Sequence, residues 1–212
     1  MTELLNIDCM KYIKTLPNKI FDLAIVDPPY GIGAERPTQY GRKTIKYDKD
    51  NNKWDVKPTD EYWQQLFRVS KNQIVWGANY FTKHLPPSMG WICWYKTAEC
   101  KGRSWSEFEL AYTSFNVRSR HYEQVPFIRY GGRIHSTQKP IGLYKWIFEN
   151  YAQSGWKILD THLGSGSSAI VAEKMGFDFV GCEIDKGYYD AAVKRFNKET
   201  DLGMFNVRTN DE

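Results

Sequence analysis

A candidate active site directly follows the apolar run FDLAIV. Its four residues are Asp27, Pro28, Pro29 and Tyr30. Two successive prolines cannot continue a central strand, so the chain must leave the sheet there in a preset conformation. The segment brings together a carboxylate, a free backbone carbonyl and an aromatic face, which suits a flat ring that carries an amino group. The same residues also fit a proline turn whose tyrosine packs on the core.

A second candidate site lies in the segment KILDTHLGSGSSAIVAEKMG. Its pattern predicts a strand that ends at Asp160, a turn through Gly164 and Gly166, and then a helix. Glu183 closes the next strand, at about the 20-residue interval where nucleotide-binding folds place an acceptor for ribose hydroxyls. The turn lacks both the Walker lysine and the third glycine of the dinucleotide fingerprint, so a nucleoside without phosphates, such as S-adenosylmethionine, fits better. The alternative is a tight connection that needs glycine only for its geometry.

Elements that alternate between strand and helix must position these two sites, and the alternation predicts a doubly wound sheet. Strands are predicted at 4–7, 21–26, 74–78, 91–95, 108–113, 157–160, 179–183 and, near the end, 204–208. Helices are predicted at 10–15, 60–70, 141–152 and 188–199, with another directly after Gly166.

The bulk composition limits the class of protein. The 212 residues suffice for one α/β domain but are few for two joined by a linker, so we expect a single domain over 1–212. The net charge of +4 permits contact with nucleic acid without requiring it. The four cysteines form no CxxC pair, so we expect reduced thiols and no metal site. With neither a signal peptide nor a membrane-spanning apolar run, a cytoplasmic protein is expected.

The order of the motifs resembles that of the beta-class DNA amino-methyltransferases, in which a catalytic DPPY precedes a variable region, a TQKP element and a glycine turn. Here FDLAIVDPPYGIG is followed by HSTQKP, DTHLGSGSSA and FVGCEIDKGYYDAAVKRF, and the opening LLNIDCMKYIKTLP is similar as well. The resemblance covers nearly the whole chain. It implies an α/β, Rossmann-like fold of the S-adenosylmethionine-dependent methyltransferases, with a mostly parallel seven-stranded sheet and helices on both faces.

The resemblance also implies roles for individual residues. The catalytic site would consist of Asp27, Pro28, Pro29 and Tyr30. The residues that would hold S-adenosylmethionine are Asp160, His162, Leu163, Gly164, Ser165, Gly166 and Glu183, with Asp8 near its adenine and Thr137 and Lys139 at its methionine end.

Two departures from the family pattern affect the fit of the cofactor. The family usually has Pro-Phe where this chain has Thr161 and His162, and HPTQKP where this chain has Ser136. Because His162 stands where an aromatic residue normally packs, we interpret its imidazole as packing against the cofactor. A role as general base is the alternative.

The function implied is transfer of a methyl group to N6 of adenine in DNA. Adenine is favoured because the cytosine-N4 members more often carry Ser at the position of Asp27. Cytosine-N4 transfer is one alternative, and a catalytically silent nucleic-acid-binding subunit that binds S-adenosylmethionine is another. A third, methylation of RNA or of a protein glutamine, disagrees with the motif order. A bacterial or phage origin is expected, while a homodimer and a companion nuclease of a restriction-modification system are left open.

Two segments are candidates for contact with DNA. Residues 33–58 are rich in Lys, Arg, Gly, Asp and Asn and lack an apolar period, which predicts a long mobile loop. Residues 97–134 mix aromatic and basic side chains, and we predict a DNA-facing insertion there. A solvated surface explains these basic residues equally well. They are Lys101, Arg103, Arg118, Arg120, Arg129 and Arg133.

Overall fold

The computed structural model of the protein describes residues 1–33, 55–96, 101, 106–125, 134 and 138–200. Within these residues the strands are β1 (Thr2–Asn6), β2 (Phe21–Val26), β3 (Ser70–Trp76), β4 (Trp91–Tyr95), β5 (Phe108–Thr113), β6 (Arg120–Glu123), β7 (Lys157–Asp160) and β8 (Asp178–Glu183). The helices are α1 (Cys9–Ile13), α2 (Asp60–Val69), α3 (Ile141–Tyr151), α4 (Ser167–Lys174) and α5 (Lys186–Thr200), and a 3-10 turn spans Ala78–Tyr80.

The strands form one sheet in the order β1-β8-β7-β2-β3-β5-β4-β6. All neighbours run parallel except β5, which is antiparallel to both β3 and β4. The predicted α/β fold with a mostly parallel sheet is therefore confirmed. The described residues contain eight strands where the resemblance implied seven, and the strand that the sequence did not predict is β6. Its four residues, RHYE, are mostly exposed and show no apolar alternation.

Helices cover both faces of the sheet. One hydrophobic cluster joins α1 and α2 to the sheet through Ala24 and Val26 of β2. A second cluster joins α3, α4 and α5 to the sheet through Leu23 and Ile25 of the same strand. Successive side chains of a strand point to opposite faces, so the two clusters lie on the two sides of the sheet. Across the described residues, no helix combines the length and apolar character that crossing a bilayer requires.

The crevice that positions the candidate site opens between β2 and β7, which are neighbours in the sheet. The chain leaves β2 toward β3 through α2 and leaves β7 toward β8 through α4, and these two helices lie on opposite faces. Where neighbouring parallel strands send their connections to opposite faces, a crevice forms at their carboxyl ends, and ligands of open α/β sheets bind there. Asp27 directly follows β2 and Asp160 ends β7, so both candidate sites meet at this crevice.

Several predictions fall outside the described residues. They are Thr137, loop residues 34–54, the strand at 204–208, and residues 97–100, 102–105 and 126–133 of the predicted insertion. The described part of the segment 97–134 includes β5 and β6, which belong to the central sheet.

Candidate active site

The Asp27 carboxylate is held in one orientation at the end of β2. The hydroxyl of Tyr30 donates a hydrogen bond to Oδ1 of Asp27 at 2.5 Å, and the ammonium of Lys139 binds Oδ2. Burial, followed by the neighbouring Asp27 charge, raises the pKa of Tyr30 well above its ordinary value. The phenol therefore stays protonated and remains a donor to the carboxylate. Both carboxylate oxygens retain lone pairs for a further donor.

The Tyr30 ring is fixed by aromatic neighbours that follow β3. It stacks on Tyr80 with ring centroids 5.0 Å apart and an interplanar angle of 17°, and it meets the edge of Phe81 at 6.0 Å. Gly77 directly follows β3 and has φ +63, in the left-handed region that favours glycine. The hydroxyl contact and the ring contacts together give Tyr30 a single position beside Asp27.

Asp55 fastens the backbone just beyond the DPPY segment. Its two carboxylate oxygens accept hydrogen bonds from the backbone N–H groups of Gly31 and Ile32 at 2.7 and 2.8 Å. Charge-assisted bonds of this kind are stronger than neutral ones. Asp55 also lines the cleft, and the sequence analysis did not single it out. It stands at the end of a polar stretch that has no apolar period, so no pattern marks it.

A cluster of buried and partly buried charges contacts Asp27. The Lys139 side chain is only 3% exposed, and its ammonium contacts Asp27 and, at 3.4 Å, Oε2 of Glu109. Burial acts to lower the pKa of Lys139, but the two carboxylates raise it above its ordinary value, so the group is an ammonium. Glu109 also binds Lys96 at 2.6 Å. Burial acts to raise the pKa of Glu109, but the two lysines outweigh this effect, so the pKa lies below its ordinary value.

Asp160 shapes the start of the glycine turn from within the core. Its side chain accepts a hydrogen bond from the Ser168 hydroxyl at 2.6 Å and one from the backbone N–H of His162 at 3.0 Å. Burial raises the pKa of Asp160 to about 7, against the opposing effect of these two donors. The carboxyl does not line the cleft, and its two hydrogen bonds hold the start of the glycine turn.

Glu183 holds the middle of the glycine turn. The backbone N–H of Gly164 donates to its Oε2 at 2.9 Å, and that of Asp185 donates to its Oε1 at 3.0 Å. Burial raises the pKa of Glu183, and these backbone donors oppose that effect. Gly164 has φ +52, and Gly166, with φ +73, begins α4. The turn therefore needs glycine at both positions.

His162 lies in the wall of the cleft as a neutral imidazole. Burial lowers the pKa of His162 to about 4. Its Nδ1 lies 2.9 Å from the Thr161 hydroxyl, which in turn lies 2.7 Å from the hydroxyl of Tyr62. The Tyr62 ring also meets the imidazole edge-on at 5.5 Å. His162 is therefore packed against an aromatic ring, and at neutral pH it carries no charge.

One cleft brings most of the predicted residues together. It has about 860 Å³ of non-protein volume, with the open solvent at its mouth included. The predicted residues that line it are Asp27, Pro28, Pro29, Tyr30, Lys139, His162, Leu163, Gly164, Ser165 and Glu183. Asp8, Asp160 and Gly166 do not line it, and Thr137 lies outside the described residues. Asp8 instead caps α1 by accepting a hydrogen bond from the N–H of Met10 at 2.8 Å.

Other residues of the cleft were not among the predicted ones. They are Asp55, Gln138, Tyr144, Ser167, Ile184, Asp185 and Tyr188. Most are neighbours in sequence of residues that were predicted, and Ser167 joins two motifs because its hydroxyl donates to the Lys139 carbonyl at 2.8 Å. Asp55, Tyr144 and Tyr188 are not such neighbours. Tyr144 lies one turn into α3, and it has the sequence pattern of an ordinary buried helix residue.

The chain matches a protein-family model. The model described as DNA methylase, for the N6 and N4 methyltransferases, matches residues 46–194, more than half of the chain. The chain therefore belongs to this family of DNA amino-methyltransferases. Among similar proteins, the type II methyltransferase M2.LlaDCHI of Lactococcus lactis subsp. cremoris is 23% identical, with 95% of this chain and 91% of that protein covered.

Solved structures share the fold. TTHA0409 from Thermus thermophilus, complexed with S-adenosyl-L-methionine, has a TM-score of 0.63 at 15% identity, with 100% of both chains covered. The cytosine-N4-specific PvuII DNA methyltransferase has a TM-score of 0.62 at 12% identity, with 94% of this chain and 90% of that chain covered. At such identities the likeness concerns the fold, and it agrees with the sheet and crevice described above.

Proposed function

We propose that the protein transfers a methyl group from S-adenosylmethionine to the N6 amino group of adenine in DNA. The observation that carries this proposal is that one cleft is lined both by the Asp27 carboxylate and by the glycine turn with Glu183. A nucleoside at the turn and an amino group at Asp27 would then share a single crevice. Family membership supports the reaction class, and the nature of the two sites supports the assignment of donor and acceptor.

The residues of the glycine turn fit a nucleoside. Glu183 uses one lone pair on each oxygen for backbone donors, so each oxygen can still accept a ribose hydroxyl. Gly164 and Ser165 present backbone to the cleft without a bulky side chain, and Leu163 and His162 add apolar wall. We assign the donor site to these residues, with Asp160 and Gly166 shaping the turn from outside the cleft. The assignments of Asp8 to the adenine end and of Thr137 and Lys139 to the methionine end stay predictions from the resemblance.

Asp27 and Pro28 activate the acceptor in this proposal. The lone pair of an adenine amino nitrogen is delocalised into the ring, so the nitrogen is a poor nucleophile. The Asp27 carboxylate and the Pro28 carbonyl would accept its two N–H hydrogens and favour a pyramidal nitrogen with its lone pair localised. Bound S-adenosylmethionine supplies an electrophilic methyl group on its sulfonium. Since Tyr30 and Lys139 already fix the carboxylate, little reorganisation is needed when the base arrives.

DNA must present the base outside the duplex, because an amino group inside the stack cannot reach the end of β2. Enzymes that modify bases extrude the target nucleotide at a cost of a few kcal/mol. Tyr30 lines the cleft and offers an aromatic surface next to Asp27 on which the extruded ring could rest. Pro28 and Pro29 keep this surface rigid, which limits the entropy lost on binding.

Product analysis by mass spectrometry tests the proposal. The purified protein is incubated with unmethylated DNA and S-adenosylmethionine, and the DNA is digested to nucleosides. We expect N6-methyladenine. N4-methylcytosine would keep the fold and mechanism but contradict the base assignment, a result that the likeness to the cytosine-specific PvuII enzyme makes worth measuring. Absence of any methylated base, with cofactor binding demonstrated by calorimetry, would instead support the silent subunit.

A further inference from the structure

Two charged side chains near the cleft have no part in the proposed function. Glu109 lies on β5, and Lys96 directly follows β4. Neither lines the cleft, yet Lys96 Nζ lies 2.6 Å from Glu109 Oε1, and Lys139 Nζ lies 3.4 Å from Glu109 Oε2. Lys139 then binds Asp27. Alternating charges thus connect the end of β4 and the start of β5 to the Asp27 carboxylate.

Burying these charges is unfavourable unless each one is paired. Two ammonium groups and two carboxylates balance in number, and the Lys139 ammonium also lies 5.1 Å from the centre of the Trp76 ring. Replacing buried ion pairs with apolar residues is often neutral or stabilising. Stability alone therefore gives no reason for Glu109 to be charged, and its contact with Lys139 suggests a role at the cleft.

The orientation of Asp27 depends on Lys139. Tyr30 holds one oxygen of the carboxylate, and Lys139 holds the other. A lysine has a long side chain with many rotamers, so a single carboxylate does not fix its ammonium in one place. Glu109 provides a second anchor, and Lys96 binds the other oxygen of Glu109.

We propose that Glu109 is a positioning residue for the methyl transfer. By binding the Lys139 ammonium, it fixes that group against Asp27, so that the Asp27 carboxylate stays in one orientation. The inference rests on the proposed function, because it concerns the same transfer step. It adds a residue that does not touch the substrate or cofactor.

Glu109→Gln tests this inference, with Glu107→Gln as the matched control two residues earlier and outside the cluster. The wild-type protein and both variants are compared in single-turnover transfer to DNA at saturating S-adenosylmethionine. Misplaced catalytic groups slow reactions by large factors, so we expect Glu109→Gln to be roughly tenfold or more slower. Its affinity for S-adenosylmethionine, measured by calorimetry, should fall by much less than the rate, because the glycine turn is untouched and Glu109 itself does not line the cleft. Transfer by Glu109→Gln at the wild-type rate would overturn the inference.

The pH profile separates positioning from a general loss of structure. The Lys139 ammonium contacts the carboxylates of Asp27 and Glu109. Those two carboxylates also interact with Tyr30, Tyr144 and Lys96. Removing the Glu109 charge lowers the pKa of Lys139, because burial then opposes only the Asp27 carboxylate. The alkaline fall in rate should therefore begin at lower pH in Glu109→Gln than in the wild type. A uniformly lower rate with an unchanged profile would contradict the proposed role.

A double variant guards against misfolding of the single one. Lys96→Met with Glu109→Gln also lacks the contact to Lys139, but it removes the Lys96 charge together with that of its partner Glu109. It should be as slow as Glu109→Gln, and full activity in it would overturn the inference. An inactive wild-type protein would overturn the proposed function and this inference together. An active wild type with an equally active Glu109→Gln overturns the inference alone.

Discussion

Gly77 lies directly against the ring of Tyr30. A Cβ at this position would be 2.1 Å from Cε1 of that ring, closer than any real contact allows. The ring itself is held by the stack on Tyr80 and by the hydroxyl contact to Asp27. Gly77 therefore makes room for the aromatic residue of the DPPY segment, although the two residues lie on different connections.

Gly77→Ala should displace Tyr30 and slow methyl transfer. Gly155→Ala is its matched control, because Gly155 also has positive φ, +81, but nothing lies within 4 Å of its added Cβ. Both variants bear backbone strain of about 1–2 kcal/mol, so Gly155→Ala should lose that much free energy of unfolding, and Gly77→Ala should lose more because its Cβ also displaces the Tyr30 ring. Only Gly77→Ala should also lose transfer, by roughly tenfold or more. Equal transfer rates in the two variants would show that the position of Tyr30 is immaterial.

Glu183→Gln should weaken the binding of S-adenosylmethionine. An amide has one acceptor oxygen, so it can satisfy either the Gly164 N–H or the Asp185 N–H, and its NH₂ group faces the other donor. Loss of a hydrogen bond to a charged group costs about 1.5–3 kcal/mol, which corresponds to roughly 10- to 150-fold in affinity. Calorimetry provides the measurement, with Glu173→Gln on α4 as control. An unchanged affinity would remove Glu183 from the donor site.

Stability between pH 4 and 6.5 should depend on two opposing groups. Burial gives Asp160 a pKa of about 7 in the folded protein, so this group contributes stability at low pH that is lost as the pH rises toward 7. Burial gives His162 a pKa of about 4 in the folded protein, so stability linked to this group is lost as the pH falls from 6.5 to 4. Each group changes the free energy of unfolding by about 1.4 kcal/mol per pH unit, and the two changes have opposite signs and largely cancel.

Variants that lack one of the two side chains should reveal how each group changes the free energy of unfolding with pH. In Asp160→Asn, the free energy of unfolding should rise with pH relative to the wild type over this interval, because the Asp160 contribution is lost. In His162→Phe, it should fall with pH relative to the wild type, because the His162 contribution is lost. Urea unfolding without cofactor at several pH values measures both. The same flat profile in all three proteins would mean that neither side chain has the shifted pKa described here.

Asp55→Ala should loosen the segment that follows the DPPY residues. The backbone N–H groups of Gly31 and Ile32 would lose their carboxylate acceptor, and water would replace it. We expect transfer to slow by roughly tenfold, because a small displacement of catalytic groups lowers the reaction rate steeply. Asp190→Ala, an exposed carboxylate on α5, is the control. A transfer rate equal to that of the control would mean that the two hydrogen bonds to Asp55 do not help to position the DPPY segment.

The strand ends that form the crevice could be predicted from local patterns. Apolar runs end at Asp27, Asp160 and Glu183, and an acidic residue that directly follows or ends an apolar run is visible without any structure. The strands β2, β4, β5 and β7 have the predicted bounds for the same reason. Chain order and glycine positions predicted the two candidate sites. The structure brings these two sites together at one edge of the sheet.

The supporting contacts could not be predicted, because they join residues far apart in sequence. Glu109 reaches Lys139 only because of the strand order and the start of α3, neither of which is encoded in a local period. Gly77 and Tyr30 meet across two different connections. In addition, β6 is a mostly exposed edge strand, so its sequence has no alternation of apolar and polar residues that would predict a strand.

Asp27→Ala provides the most direct test of the central claim, that the carboxylate at the end of β2 serves methyl transfer to a DNA base. Lys139 retains Glu109 as partner in this variant, and the glycine turn is untouched. We expect wild-type protein and the exposed control Asp190→Ala to transfer labelled methyl groups from S-adenosylmethionine to DNA. Asp27→Ala should bind the cofactor with nearly the wild-type affinity and transfer none. Transfer by Asp27→Ala at the wild-type rate would contradict the claim.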